Sequence, residues 1–146
     1  MKYLLIIISF LFVNSTHSQK IGYELRTNGK SYLTISHKIH DNGGLELRHK
    51  TNLEENRFTY RHNFNLGESP MIFSVPLHYK VEKNEPTFEP RFIYKFENFK
   101  FWAQQEFWFN EIYNLALAID IPYKNYVYRI GWDNSNTIRF RISIKI

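Results

Sequence analysis

The closing stretch IRFRISIKI puts Ile138, Phe140, Ile142, Ile144 and Ile146 at every second position, with Arg139, Arg141, Ser143 and Lys145 between them. Only an extended strand sends successive side chains to opposite faces, so this segment has one apolar face and one charged face. The same period recurs through the chain. Apart from the first residues, no segment of useful length repeats at the helical spacing.

Ten such segments are predicted: 20–26, 31–40, 45–50, 57–66, 71–81, 91–97, 99–109, 112–121, 126–132 and 138–146. Turn chemistry separates them: Asn28-Gly29, Asp41-Asn42-Gly43-Gly44, Gly67-Glu68-Ser69-Pro70, Glu97-Asn98, the PYKN and DNSN stretches, and a longest loop at 82–90, EKNEPTFEP. Asn-Gly between alternating runs is the strongest short hairpin signal. No connection is long enough for a parallel crossover. The expected fold is therefore all-β, an antiparallel meander closed as an up-and-down barrel of about ten strands, with eight the alternative. Closure gives the last strand a partner in the first, which explains a pattern kept to the final residue.

The chain has 146 residues, enough for one domain. Its start, MKYLLIIISFLFVNSTHSQ, has Lys2, then an apolar run from Tyr3 to Val13, then Thr16-His17-Ser18 as a small-residue cleavage site. That is the layout of a secretory signal peptide, expected over 1–18, with one barrel domain over 19–146. The run stops at Asn14, short of the roughly 20 residues a spanning helix needs. There is no cysteine, so an exported chain of this kind has no disulfides. Ten Tyr, thirteen Phe and three Trp against six Gly and five Pro suit half-buried pleated surfaces. The formal charge is +5, with basic residues spread singly among acids. That spread reads as one face of a sheet, and with an export signal it argues against a nucleic-acid partner.

One alternation serves two architectures: a soluble lipocalin-like barrel turns its apolar face inward, and a membrane barrel turns it outward. A bilayer sorts Tyr and Trp to its two interfaces and leaves aliphatic residues between. In YNLALAIDIPY the apolar positions run Tyr113, Leu115, Leu117, Ile119, Ile121, Tyr123, aromatic at both ends. Tyr126 and Trp132 end the next strand, and Phe73 and Tyr79 flank Val75 and Leu77. These six aromatics are the expected membrane-interface residues. With the N-terminus on the periplasmic side, the outward turns lie near residues 29, 54, 86, 111 and 135 and include the longer connections, as in membrane barrels.

On the leader, the strand period, the aromatic strand ends and the terminal strand, the chain resembles small bacterial outer-membrane β-barrel proteins as a class. That resemblance implies residence in an outer membrane, with its lipid and the barrel-assembly machinery as partners, and with the last strand as the segment that machinery reads. The class usually ends in an aromatic residue, whereas this chain ends in Ile146.

In that orientation the charged face lines a lumen: Arg48, Arg57, Arg61, Lys80, Lys95, Glu97, Glu106, Arg129, Arg139 and Arg141. Opposite charges on neighbouring strands pair across the sheet, and side chains nearly fill a barrel this narrow. The expected role is structural, a narrow pore favouring anions, or adhesion. The alternative is a periplasmic or secreted lipocalin-like barrel with an apolar ligand inside. No catalytic residue, metal or cofactor is expected. His37 and His40 fall on opposite strand faces, and Ser36, His40 and His78 do not converge by parity as a hydrolase or acyltransferase would require.

Overall fold

The structure, a computed structural model, describes residues 19–51, 55–108 and 111–146; for 108 and 111–113 only the backbone is described. The segment expected to be a signal peptide, residues 1–18, lies outside the described residues. So does the side chain of Tyr113.

Eleven strands are present: β1 (Gln19–Arg26), β2 (Ser31–His40), β3 (Gly43–Lys50), β4 (Glu55–Asn65), β5 (Met71–Lys80), β6 (Glu85–Phe88), β7 (Arg91–Lys95), β8 (Lys100–Trp108), β9 (Glu111–Tyr123), β10 (Tyr126–Asp133) and β11 (Thr137–Lys145). All pairings are antiparallel. β6 and β7 lie end to end between β5 and β8, so the sheet is a ten-stave barrel, closed by β1 on β11 and by β4 on β5. The expected barrel is the observed one.

Two details differ from expectation. Residues 82–90 are not one long loop, because Glu85–Phe88 is strand and pairs with β5. Two prolines disguised it. Pro86 is the second residue of that strand, and Pro90 sits in the break before β7, opposite Val75 of β5 and next to Glu89, which faces Pro76. There Glu89 N donates to Pro76 O at 2.9 Å and Gln105 N to Pro90 O at 3.2 Å. Proline cannot donate to a ladder, so the stave breaks where Pro76 withholds a donor on the β5 side and Pro90 one on the β8 side. The second difference is that Gly43 and Gly44, expected in a turn, begin β3.

The register shows that the strands are strongly tilted. Ile72, near the start of β5, continues through Ile93, Trp102, Ala118, Gly131 and Arg139 to Arg26, at the far end of β1. Such stagger is what closes a sheet into a barrel.

The burial pattern is inside out. Leu25 and Leu77 are 51% exposed and Ile130 is 53%, whereas Glu24 is 2% and Arg139 8%. Leu115, Ile119, Phe140 and Ile142 also stand on the outside. An apolar surface this continuous would not persist in water; it is the outer band of a membrane-spanning barrel, whose closed ladder pairs the backbone from strand to strand. Of the interface aromatics, Tyr123, Tyr126, Trp132 and Tyr79 face outward near strand ends, and Phe73 faces outward on β5. Of the polar residues on this surface, His49 lies near the end of its strand, where polar groups cost little, and His37, His62 and Gln105 lie further in.

Candidate functional site

Inside the barrel the ionic side chains form three levels. At the end away from the described termini is a vestibule of about 290 Å³. Eight Lys and Arg line it, among them Arg26, Lys30, Lys50 and Lys80, against Glu55, Glu89 and Glu106. Toward the termini lies an inner chamber of about 90 Å³, with seven Lys and Arg against Glu46 and Asp120. Between them is a neck with about 10 Å³ of free space. Arg48 and Arg57 line all three levels.

The neck is built by the stave break. Glu89, turned inward between β6 and β7, accepts from Arg57 Nη1 at 3.3 Å. Its other oxygen lies 3.1 Å from His78 Nε2 and 3.6 Å from Arg91 Nη2. His78 is held from its far side by Thr59, Nδ1 to Oγ1 at 2.7 Å. Trp102 of β8 fills the opposite wall, with Arg91 and Arg129 over its ring at 4.7 and 4.6 Å. The small residues Ala116, Ala118 and Gly131 make room for it; a Cβ on Gly131 would meet that of Ala118 at 3.0 Å. Stacked guanidinium and indole planes hold one another by cation–π attraction.

Around the neck most carboxylates are engaged. Arg129 donates to both oxygens of Asp120, at 2.5 and 2.7 Å. Arg139 donates twice to Asp133, at 2.9 and 2.5 Å. Arg26 donates to Glu24 at 2.7 Å, and Lys80 lies 3.2 Å from Glu106. Glu46 takes Arg48 at 3.3 Å and Arg141 at 3.1 Å. The cations outnumber these partners. The Nε atoms of Arg48, Arg57, Arg91 and Arg141 are buried with no acceptor among the described residues, and buried donors are rarely left so.

Of the sequence-predicted lumen residues, Arg48, Arg57, Arg61, Lys80, Glu106, Arg129, Arg139 and Arg141 line these chambers. Lys95 is exposed at the end of β7. Glu97 is not in the lumen; it lies exposed in the tight turn between β7 and β8, because that strand ends at Lys95. Glu24, Glu89, Trp102 and Asp133 were not among the predicted lumen residues. For most of them the parity that placed the arginines was a sufficient signal. For Glu89 it was not, since the broken strand hid its direction. Among the described residues no three His, Asp or Glu converge as metal ligands.

No family model matches the chain, and no curated protein matches it. Solved structures do, and two of them are porins. A KdgM porin in complex with disordered oligogalacturonate is 11% identical with a TM-score of 0.55, covering 88% of this chain and 97% of that one. A KdgM porin is 12% identical with a TM-score of 0.55 and the same coverage. At such identity the likeness is one of fold. Porin-like barrel and outward apolar band together make the chain a small outer-membrane β-barrel.

Proposed function

We propose that the protein is a narrow outer-membrane channel, not an enzyme, whose basic lumen favours small anions. The observation that carries this reading is the surplus of lumen cations over carboxylates, with buried guanidinium nitrogens left unpartnered. A water-filled passage lined by one sign of charge concentrates the opposite ion. Ten staves leave little bore, and the neck is narrower than either chamber. The solutes are therefore small, well below the oligogalacturonate present in the neighbouring porin complex. The terminal strand β11, seated on β1 with Ile146 N donating to Gln19 O at 3.0 Å, is the segment offered to the assembly machinery.

Planar-bilayer recording tests the reading. Under a potassium chloride gradient, small unit steps with a reversal potential displaced toward that of chloride are expected. A cation-displaced potential overturns it. Absence of steps from barrel that is folded by its heat-shifted gel mobility also overturns it, leaving an ion-paired structural plug.

A further inference from the structure

The inner chamber holds charge it does not neutralise. Glu46 is shared by Arg48 and Arg141, and Asp120 is clamped by both nitrogens of Arg129. Lys20 of β1 and Arg61 of β4 also line the chamber, and neither side chain makes an ion pair or hydrogen bond among the described residues. Arg91 and Arg141 add buried Nε donors without acceptors, the side chain of Arg141 being only 9% exposed. Cations drawn together and out of bulk water with too little counter-charge repel one another and carry a large desolvation penalty. Something anionic belongs there.

We propose that this chamber is a binding site for a small, doubly charged oxyanion of the phosphate class, held among Lys20, Arg61, Arg91 and Arg141. Four donors arrive from β1 and β11 on one side of the barrel and β4 and β7 on the other, so they line the chamber from opposite walls. Guanidinium forks match paired oxyanion oxygens, while lysine adds a compact point charge. Size selects as well. A chamber of about 90 Å³ has room for about six waters at ~15 Å³ of such space each, enough for a tetrahedral oxyanion and part of its hydration. Because the chamber lies within the barrel, the anion comes from solution and not from a lipid headgroup. The site rests on the channel reading only for the route by which the anion arrives.

The test is calorimetric titration of the detergent-folded barrel with inorganic phosphate at pH 7.5, with chloride and acetate as controls. One saturable phosphate per barrel is expected, with chloride and acetate at least tenfold weaker. Arg61→Gln and Lys20→Gln, each checked for folding by heat-shifted mobility, are expected to weaken phosphate at least tenfold. Lys83→Gln in the vestibule is expected to leave it unchanged. If Arg61→Gln does not fold, Lys20→Gln decides. No saturable phosphate above chloride, or equal affinity in the folded Lys20→Gln variant, overturns the site. Binding without conductance refutes the channel and leaves the site standing; anion conductance without phosphate saturation does the reverse.

Discussion

Arg141 of β11 and Glu46 of β3 form an ion pair, Nη2 to Oε2 at 3.1 Å, although β1 and β2 run between them. The guanidinium passes over Gly22 of β1, where a Cβ would stand 3.1 Å from Arg141 Nε and 2.5 Å from Ser143 Oγ. On the way it donates to Thr34 Oγ1 at 2.6 Å. One arginine thus ties four staves together from within, and it does so because one residue beneath it lacks a side chain.

Gly22→Val is expected to displace Arg141 and orphan its pairing. The loss is about 3 kcal/mol, the scale for removing one partner of a buried ion pair. It would be read as a lowered midpoint in urea unfolding from lipid vesicles. Glu46→Gln alone should cost a similar amount, and less in the Gly22→Val background, since the two changes break the same contact.

Ile119→Arg places a charge in the middle of the outer band and is expected to destabilise the barrel by about 2–4 kcal/mol, whereas Tyr123→Arg, at a strand end, should cost only about 0–1 kcal/mol. Vesicle unfolding curves compare the two directly. Equal losses would mean that the band does not face acyl chains.

Trp102→Ala removes the wall of the neck. Unit conductance is expected to rise, because the free space between the chambers widens. Stability falls by about 3 kcal/mol, the scale for truncating a buried aromatic. A channel recording and a urea titration on one preparation give both numbers.

Asp133 holds the hairpin between β10 and β11. Its Oδ1 accepts from Ser135 N at 3.1 Å and Thr137 N at 3.3 Å, and its Oδ2 takes the two bonds from Arg139. Asp133→Asn should weaken the barrel by about 2 kcal/mol, the scale of hydrogen bonds to a charged group. It should also raise amide exchange at Ser135 and Thr137, which nuclear magnetic resonance in micelles would resolve.

Glu82 lies in the turn between β5 and β6. Slight burial pushes its carboxyl up, but Asn56 N and Nδ2, at 2.7 and 2.8 Å, hold it below the usual carboxylate range. Its folded-state value being depressed, its contribution is present above the unfolded value and is lost as pH falls through the folded one. Carbon-detected titration of that carboxyl should show a midpoint below 4.5. Asn56 amide protection should differ between wild type and Glu82→Gln at neutral pH and converge in acid.

The orientation of the barrel was legible because strand parity is strict: Leu115, Leu117 and Ile119 stand on the outside, while Arg57, Arg61 and Arg141 line the interior. Aromatic strand ends were legible for the same reason. What parity does not encode is stagger. That Arg141 meets Glu46, three staves away, follows from register and tilt, neither of which is written in any one strand. Glu89 was hidden differently: the EPTFEP stretch has prolines at both ends, which read as loop, and only pairing with β5 shows a strand. Glu97 illustrates the converse, an alternation continued past the last paired residue into a turn.

All but one of the neighbouring staves are joined by their own turn; β1 and β11 are not. Their seam links residues such as Thr27 and Ile138, 111 apart in sequence. Hairpins of this kind zip locally within microseconds, so almost the whole cost of closing a long loop falls on a single late step. Until it is taken, the chain carries two raw edges, each a template for a neighbouring molecule. Whether a nascent copy becomes a barrel or an aggregate is settled at that one seam.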